Sequence, residues 1–341
     1  MTNLNDFTTL VGIDIAKNVF QVHSVNTATG EISNVPVKRD RLLSLFENRA
    51  PCLIGMEACG GSQYWARQLT KLGHTVRLMD PKRVKPFVSH NKSDRADAEG
   101  IFVALQQGVR RVPVKNDTER DIQTLLTMRT MLVKQRTANV NHVRGLLMEY
   151  GIVIPKSLNQ FEREIDESIG RLAGDAVQIV IDQLRDTVKA IRESDARIKS
   201  LTTEISRLAK ATKHGENLLT VPSVGVVTMA HLCVLLADPS VFASGRQFAA
   251  FLGLVPMHTG SGGKTINTHI PDRCDKRLRA LLVECAHSIA RMKHKAPWVR
   301  SILAKKPKKV ALIAIANRLA RQCWAVASKN QPWRMPPTQT A

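Results

Sequence analysis

Two hydrophobic rhythms run along the chain. In the first third, short apolar runs are cut by polar turns, the signature of strands mixed with short helices. Residues 10–16 (LVGIDIA) make one such run, with a single acid, Asp14, embedded in it. Residues 19–25 and 31–37 flank Thr-Ala-Thr-Gly, which predicts a hairpin. A helix is expected over residues 40–48 and a strand over 53–57 (LIGME), which ends in Glu57. A glycine turn at Gly60 and Gly61 follows, then a helix over 62–72 and a strand over 75–79. A basic connector with Lys82, Arg83 and Lys85 leads to a helix over residues 94–107.

Further on the rhythm becomes helical. Residues 118–150 and 176–212 are long, charged and without turn signals. In the second stretch Val177, Leu184, Ile191, Ile198 and Ile205 recur every seven residues. Ile181, Val188 and Ala209 fill intervening seam positions, while Asp195 and Thr202 interrupt them. Such a coiled-coil-like helix either pairs with the first long helix or serves oligomerisation. Residues 218–237 carry no formal charge, but they contain Pro222, Gly225 and His231 and split into two short pieces. A buried helical hairpin is expected there, not a membrane span. The expected fold class is an α/β N-terminal domain of RNase H type (residues 1–115), a long helical coiled-coil-like middle (116–213) for oligomerisation and nucleic-acid binding, and a mostly α C-terminal domain (214–341).

Composition adds a partner to this frame. Among 341 residues, 50 Lys and Arg stand against 29 Asp and Glu, a net charge of +21. Such an excess costs self-repulsion, and a polyanion offsets it. Between residues 271 and 334 there are 16 Lys or Arg and three acids, so the excess is concentrated there. Nucleic acid is the leading partner class and an anionic membrane surface the second. Six cysteines without a CxxC pair suit reduced thiols in a cytoplasm, not a disulfide framework. Cys274, Cys285, His287 and His294 match no common metal-ligand spacing. No basic-then-apolar targeting segment opens the sequence.

The acids form a constellation. Asp14 lies inside an apolar strand, where an unpaired carboxylate is costly. Glu57 closes the next strong strand, and Asp94 and Asp97 share one helix face. Four carboxylates converging from two strand ends and a helix suit two Mg²⁺ ions about 4 Å apart, the arrangement used for phosphodiester transfer. Each acid also has a structural reading. Asp94 with Asp97 fits a helix N-cap and its partner, Glu57 a solvated strand end, and Asp14 a hairpin cap.

The segments VGIDIAKNVFQVHSV, GMEACGGSQYW and VKPFVSHNKSDRADAEGI resemble the N-terminal domain of the DEDD insertion-sequence transposases of the one-ten family, eleven-eleven subgroup. Piv-type DNA invertases are among the relatives of that family. The segments VPSVGVVTMA, FASGRQFAAFLGLVP, SGGK and KKVALIAIANRLARQCWAVA continue the resemblance through the second half. It implies a RuvC-like domain in which Asp14, Glu57, Asp94 and Asp97 are the Mg²⁺-binding tetrad. It also implies a nucleophilic serine five residues after a Leu-x-Pro segment, which falls on Ser261 after Pro256. A homo-oligomer (dimer or tetramer), double-stranded DNA at element ends and target, and a structured guide RNA are implied with it. So is a place in a bacterial cytoplasm at the nucleoid. In one block the chain departs from the family. An Ile-Ser-Lys-x-Gly pattern is replaced by Ile270-Pro-Asp-Arg-Cys274, ahead of Leu278 and Arg279.

The loop around Ser261 reads HTGSGGKT, and its end imitates a phosphate-binding P-loop. That motif needs glycine where His258 stands, so Walker-type nucleotide binding is not expected, and as a bare loop the stretch reads as a flexible hinge. Flanking glycines leave room for a phosphodiester to approach the hydroxyl, and Lys264 adds a charge. Residues 221–225 (VPSVG) read as the turn of a helix-hairpin-helix, with Gly225 at a helix start and Ser223 where glycine is usual. Lys305, Lys306, Lys308 and Lys309 form a cluster for phosphate contacts. Three other classes fit parts of the pattern: a hydrolytic RuvC-like nuclease with Ser261 structural, a non-catalytic nucleic-acid-binding remnant, and a sugar-kinase-like phosphotransferase. The last lacks a second Asp-x-Gly phosphate loop.

Overall fold

The computed structural model describes residues 4–88, 93–260, 266–272 and 274–334. Two compact units result, one of Met1–Asn116 with Asp238–Ala243, the other of Asp117–Ala237 with Ser244–Ala341. The first is built on a sheet. Strands β1 (Thr9–Asp14), β2 (Val19–Asn26) and β3 (Ile32–Lys38) form the expected antiparallel meander. Strand β4 (Leu53–Glu57) pairs parallel with β1, and β5 (Thr75–Met79) parallel with β4. A two-residue strand, β6 (Arg111–Val112), closes the edge antiparallel to β5, giving the order β3-β2-β1-β4-β5-β6.

Helices cover both faces of this mixed sheet. Helices α1 (Leu42–Glu47) and α2 (Ser62–Lys71) meet the face formed by Val11, Ile13, Ile54 and Met56. The short α3 (Pro81–Val84) and the longer α4 (Asp94–Gln106) meet the opposite face through Leu10, Leu53 and Met79. Because side chains alternate along a strand, Gly12 and Asp14 share the face of Leu10. Gly12 is what lets α4 come close. A Cβ there would lie 2.4 Å from the Ala98 carbonyl oxygen and 2.7 Å from the Phe102 nitrogen. His74 ties the other side together, since its Nδ1 accepts from the Cys52 N–H and its Nε2 meets the Phe46 carbonyl.

The second unit is helical. Helices α5 (Asp117–Glu149) and α7 (Gln178–Lys210) are each 33 residues long and pack side by side. The heptad positions Leu184, Ile191, Ile198 and Ile205 are buried, as are Ile181, Val188 and Ala209. Val177 departs from the expected seam: it precedes α7 as its N-cap and is 68% exposed. The two interruptions have partners on α5. Arg136 forms an ion pair with Asp195, and the Arg129 Nε donates to the Thr202 hydroxyl over 2.8 Å. Numbers rise on one helix as they fall on the other, so the pair is antiparallel and polar at those two layers. Within this chain, then, the α7 seam is paired with α5.

A helix not foreseen in the sequence, α6 (Leu158–Gly170), folds back on one end of the pair. Phe161, Ile165 and Ile169 join Val140, Val143, Leu147 and Ile191 in a common core, each worth roughly 1.5–3 kcal/mol of apolar burial. The uncharged stretch holds the end of α8 (Gly215–Leu219) and all of α9 (Val226–Leu235), so the hairpin begins three residues before it, with Met229, Leu232 and Cys233 buried. Then come α10 (Gly245–Phe251), a two-stranded ribbon of β7 (His258–Thr259) and β8 (Ile266–Asn267), α11 (Lys276–Arg291), α12 (Pro297–Lys305) and α13 (Lys308–Lys329). Among the described residues, no helix is long and apolar enough to cross a membrane.

Candidate metal centre and nucleic-acid contacts

Strand register carries the acids to one edge. Strands β1 and β4 run parallel with Ile13 opposite Met56, so the next step in each strand is Asp14 beside Glu57. Both stand at the carboxyl ends of their strands, where open α/β sheets present ligand sites. Helix α4 then brings its first turn over the same edge, since Gly12 permits the close approach. Carboxylate oxygens of Asp14, Asp94 and Asp97 lie within 4.8 Å of one another.

Neither helical acid is the cap. Ser93 occupies that position: its hydroxyl accepts from the Ala96 N–H and its carbonyl from the Asp97 N–H. The N-cap reading of Asp94 is thereby corrected, and Asp94 and Asp97 are left in the first turn. Glu57 is not within the tight trio, but it lies in the same field. Burial raises its carboxyl above the usual value, and the charges of Asp14, Asp97 and Asp80 add to that rise. Carboxylates facing one another at such distances repel, and a divalent cation reverses the sign of that interaction. An all-oxygen donor set is the chemistry of a hard cation such as Mg²⁺, so these residues fit one.

Asp80 was missed in the sequence, although it directly follows β5 as Asp14 closes β1 and Glu57 closes β4. Its carboxylate accepts from the Lys82 N–H over 3.0 Å, capping α3. That cap fixes the turn carrying Lys82, Arg83 and Lys85, all exposed, next to the acids. Cys59 is exposed in the turn after β4, and its thiol is pushed up by burial first and then by Glu57 and Asp14.

The other expected contacts are on the helical unit. Ser261 and Lys264 lie outside the described residues. The ribbon that brackets them is described: β7 pairs with β8, and the Met257 N–H donates to the His269 carbonyl. Nearby, residues 270–272 and Cys274, where the sequence departs from the expected pattern, are held by Arg279. Its Nη1 donates to the Pro271 carbonyl over 2.7 Å, and Gly253 sits against Arg279 and Cys274 with φ +66°. Gly225 is the N-cap of α9 and is exposed. Ser223, in the place of a turn glycine, adopts φ +63°, the left-handed conformation that glycine favours. Lys305 and Lys306 end α12, while Lys308 and Lys309 open α13, all exposed. Cations at the start of a helix oppose its dipole, so local stability does not ask for Lys308 and Lys309 there.

A sheet edge where three carboxylates gather, in a chain this basic, has a make-up that suits a divalent cation and a polyanion. Comparison with known proteins makes the class specific. The IS110-type DEDD family model, described as a transposase, matches residues 11–152, and the model of the transposase IS116/IS110/IS902 family matches residues 215–302. The chain is 34% identical over 331 residues to a probable family 20 transposase of Pseudomonas aeruginosa, covering 95% of this chain and 98% of that one. It is 31% identical over 331 residues to the transposase for insertion sequence element IS1111A of Coxiella burnetii, covering 95% and 91%. A pilin gene-inverting protein of Moraxella lacunata is 26% identical over 350 residues, covering 95% and 97%. The chain belongs to the IS116/IS110/IS902 transposase family.

Proposed function

We propose that the chain is a DNA transposase and site-specific recombinase. In this reading Asp14, Glu57, Asp94 and Asp97 hold Mg²⁺ in a RuvC-like domain, and Ser261 is the nucleophile. The observation that carries it is the gathering of Asp14, Asp94 and Asp97 within 4.8 Å, with Ser93 and not an aspartate serving as the helix cap. The strand order β3-β2-β1-β4-β5, with an acid at the end of β1, supports the RNase H-type assignment. Bound Mg²⁺ would supply charge stabilisation for the developing phosphorane.

The chain's own residues do the rest. A serine hydroxyl is a weak nucleophile until a neighbouring group relieves it of its proton. As the Ser261 oxygen bonds to phosphorus, the phosphorus–oxygen bond to the departing sugar breaks, and the serine proton ends on the departing sugar oxygen. A sugar hydroxyl from another strand then reverses the step and restores the serine, so DNA is rejoined without an external energy source. The lysines and arginine of residues 82–85, Lys264 and the cluster at residues 305–309 hold phosphates, and the start of α9 at Gly225 adds a further contact. The relatives, named as transposases and pilin gene-inverting proteins, support a cut-and-rejoin outcome. A structured guide RNA and a homo-oligomeric site belong to the same reading and are compatible with the net charge of +21.

Ser261→Ala separates this mechanism from its nearest competitor, a hydrolytic nuclease. Trapping with a duplex carrying the element ends should give a protein–DNA adduct for the unaltered chain and none for the variant. Normal metal-dependent cleavage by Ser261→Ala, with no adduct in either protein, would move the assignment to the nuclease.

A further inference from the structure

The helical unit holds a second charged site that no motif pointed to. An open groove of about 820 Å³ runs along the α5–α7 pair, with Val226, the first residue of α9, in its lining. Arg129, Arg136, Lys199, Arg207 and Lys210 line it, and Asp195 is the one carboxylate among the lining residues. Asp195 is already spent: one oxygen takes the Arg136 guanidinium and the other lies 3.2 Å from the Lys199 ammonium. Glu204, beside the groove, pairs with Arg207. Five cations therefore meet two acids along three turns of one helix pair.

Several of these cations are held where repulsion is strong. Arg129 is half-buried and is lowered from its ordinary value by burial first, then by the charges of Arg277 and Arg136. Arg136 lies only 19% exposed, and its Nε is buried without a hydrogen-bond partner among the described residues. The Ser206 hydroxyl lies along the same wall, while that of Thr203 donates to the Lys199 carbonyl. Concentrating cations against an apolar helix seam costs stability, and an anion from outside offsets that cost. Residues 199, 203, 206, 207 and 210 follow one helical face, so the charges form a stripe and not a point. A stripe matches a repeating anion better than a single phosphate. The exposed N-cap Gly225, next to Val226, offers unhindered backbone at one end, since a Cβ there would meet nothing within 4 Å.

We propose that this groove binds the phosphodiester backbone of a nucleic-acid duplex, without reading its sequence. The assignment rests on the recombinase reading only in expecting a nucleic acid, since it uses neither the acidic cluster nor Ser261. Backbone contacts of this kind fix register on a duplex and are salt-dependent.

The test is binding by the full chain in EDTA, measured by fluorescence anisotropy as salt is varied. The variant K199Q/R207Q/K210Q removes three exposed charges and leaves the paired Arg129 and Arg136 in place. The control K156Q/R163Q/R171Q removes the same charge at the α6 end. For a 30-base-pair DNA duplex, the groove variant should lower the slope of log affinity against log salt by about 2–3, roughly 0.9 per lost contact. Affinity should fall on the order of tenfold at moderate salt, while the control changes little. A parallel arm with duplex RNA of equal length identifies which nucleic acid the groove prefers. Equal losses in groove variant and control, or no loss in either, would overturn the groove assignment. Such a result would leave the recombinase reading standing, because that reading is decided by cleavage and adduct formation.

Discussion

The sheet edge of the first unit and the groove of the second are opposites in charge and alike in construction. At the edge, Asp14, Asp94 and Asp97 crowd together, and Glu57 is raised by burial and then by Asp14, Asp97 and Asp80. In the groove, Arg129 and Arg136 crowd together beside Lys199, and Arg129 is lowered. Each place gathers like charges, and in the proposed reading each takes a ligand of opposite sign. A small hard cation suits the first, where three oxygens converge. A long polyanion suits the second, where the charges are strung along a helix. In the proposed reading, that difference in shape distinguishes a chemical centre from a holding surface.

Three substitutions and conditions sharpen that contrast. Gly12→Ala should have the largest effect on the fold, because its Cβ would enter the Ala98 carbonyl and Phe102 nitrogen on α4. A loss of about 3 kcal/mol is expected, read as a lower urea midpoint. Mg²⁺ should protect the variant less than it protects the unaltered chain, since α4 carries two of the acids. An unchanged midpoint would show that α4 does not depend on Gly12 to approach β1.

Acid should act oppositely on the two units. Protonation relieves the raised Glu57, whereas in the helical unit it must charge His231, whose Nε2 accepts from the Arg277 Nε over 3.0 Å. Burial, then Arg277, lowers His231 from 6.5 to about 4. Its folded value lies below its unfolded one, so its contribution is complete above about pH 6.5 and is lost as pH falls toward 4. On the order of 2 kcal/mol of that contribution is lost between pH 7 and pH 5. Denaturant titrations at pH 7 and pH 5 should show a smaller difference for His231→Gln, which keeps an acceptor and cannot titrate. An identical pH difference in both proteins would remove His231 from the account.

The smallest effect tests whether charge is placed for stability or for a partner. Lys308→Gln with Lys309→Gln should raise stability slightly, by about 0.3–1 kcal/mol for each charge taken from the start of α13, read as a higher melting temperature. The same pair should weaken DNA binding and flatten its salt dependence. A stability loss instead would make these lysines structural.

Much of the sheet could be read in the chain, because alternation and turn residues are local. The meander, the acids closing β1 and β4, and the helix beginning at Asp94 all follow from short windows. The heptad in α7 was equally legible, but its breaks were not. Asp195 and Thr202 look like defects until Arg136 and Arg129, some 60 to 70 residues earlier, are seen against them. The role of Ser93 was hidden because serine and aspartate cap helices almost equally well. Asp80 was passed over as a turn residue, and only the parallel register of β4 and β5 brings it beside Glu57. Asp238–Ala243 belongs with the first unit though its neighbours belong to the second, which no local pattern reveals. The Arg111–Asp238 ion pair at 2.6 Å is the kind of contact that decides it.

The acidic edge as a catalytic metal centre is most directly tested by Asp97→Asn. This variant keeps the size of the side chain and leaves the Ser93 cap intact. Strand cleavage of a duplex carrying the element ends should be measured with and without Mg²⁺. Metal-dependent cleavage is expected of the unaltered chain and a fall on the order of 10³-fold in the variant, with binding of the duplex retained. Undiminished cleavage by Asp97→Asn would contradict it.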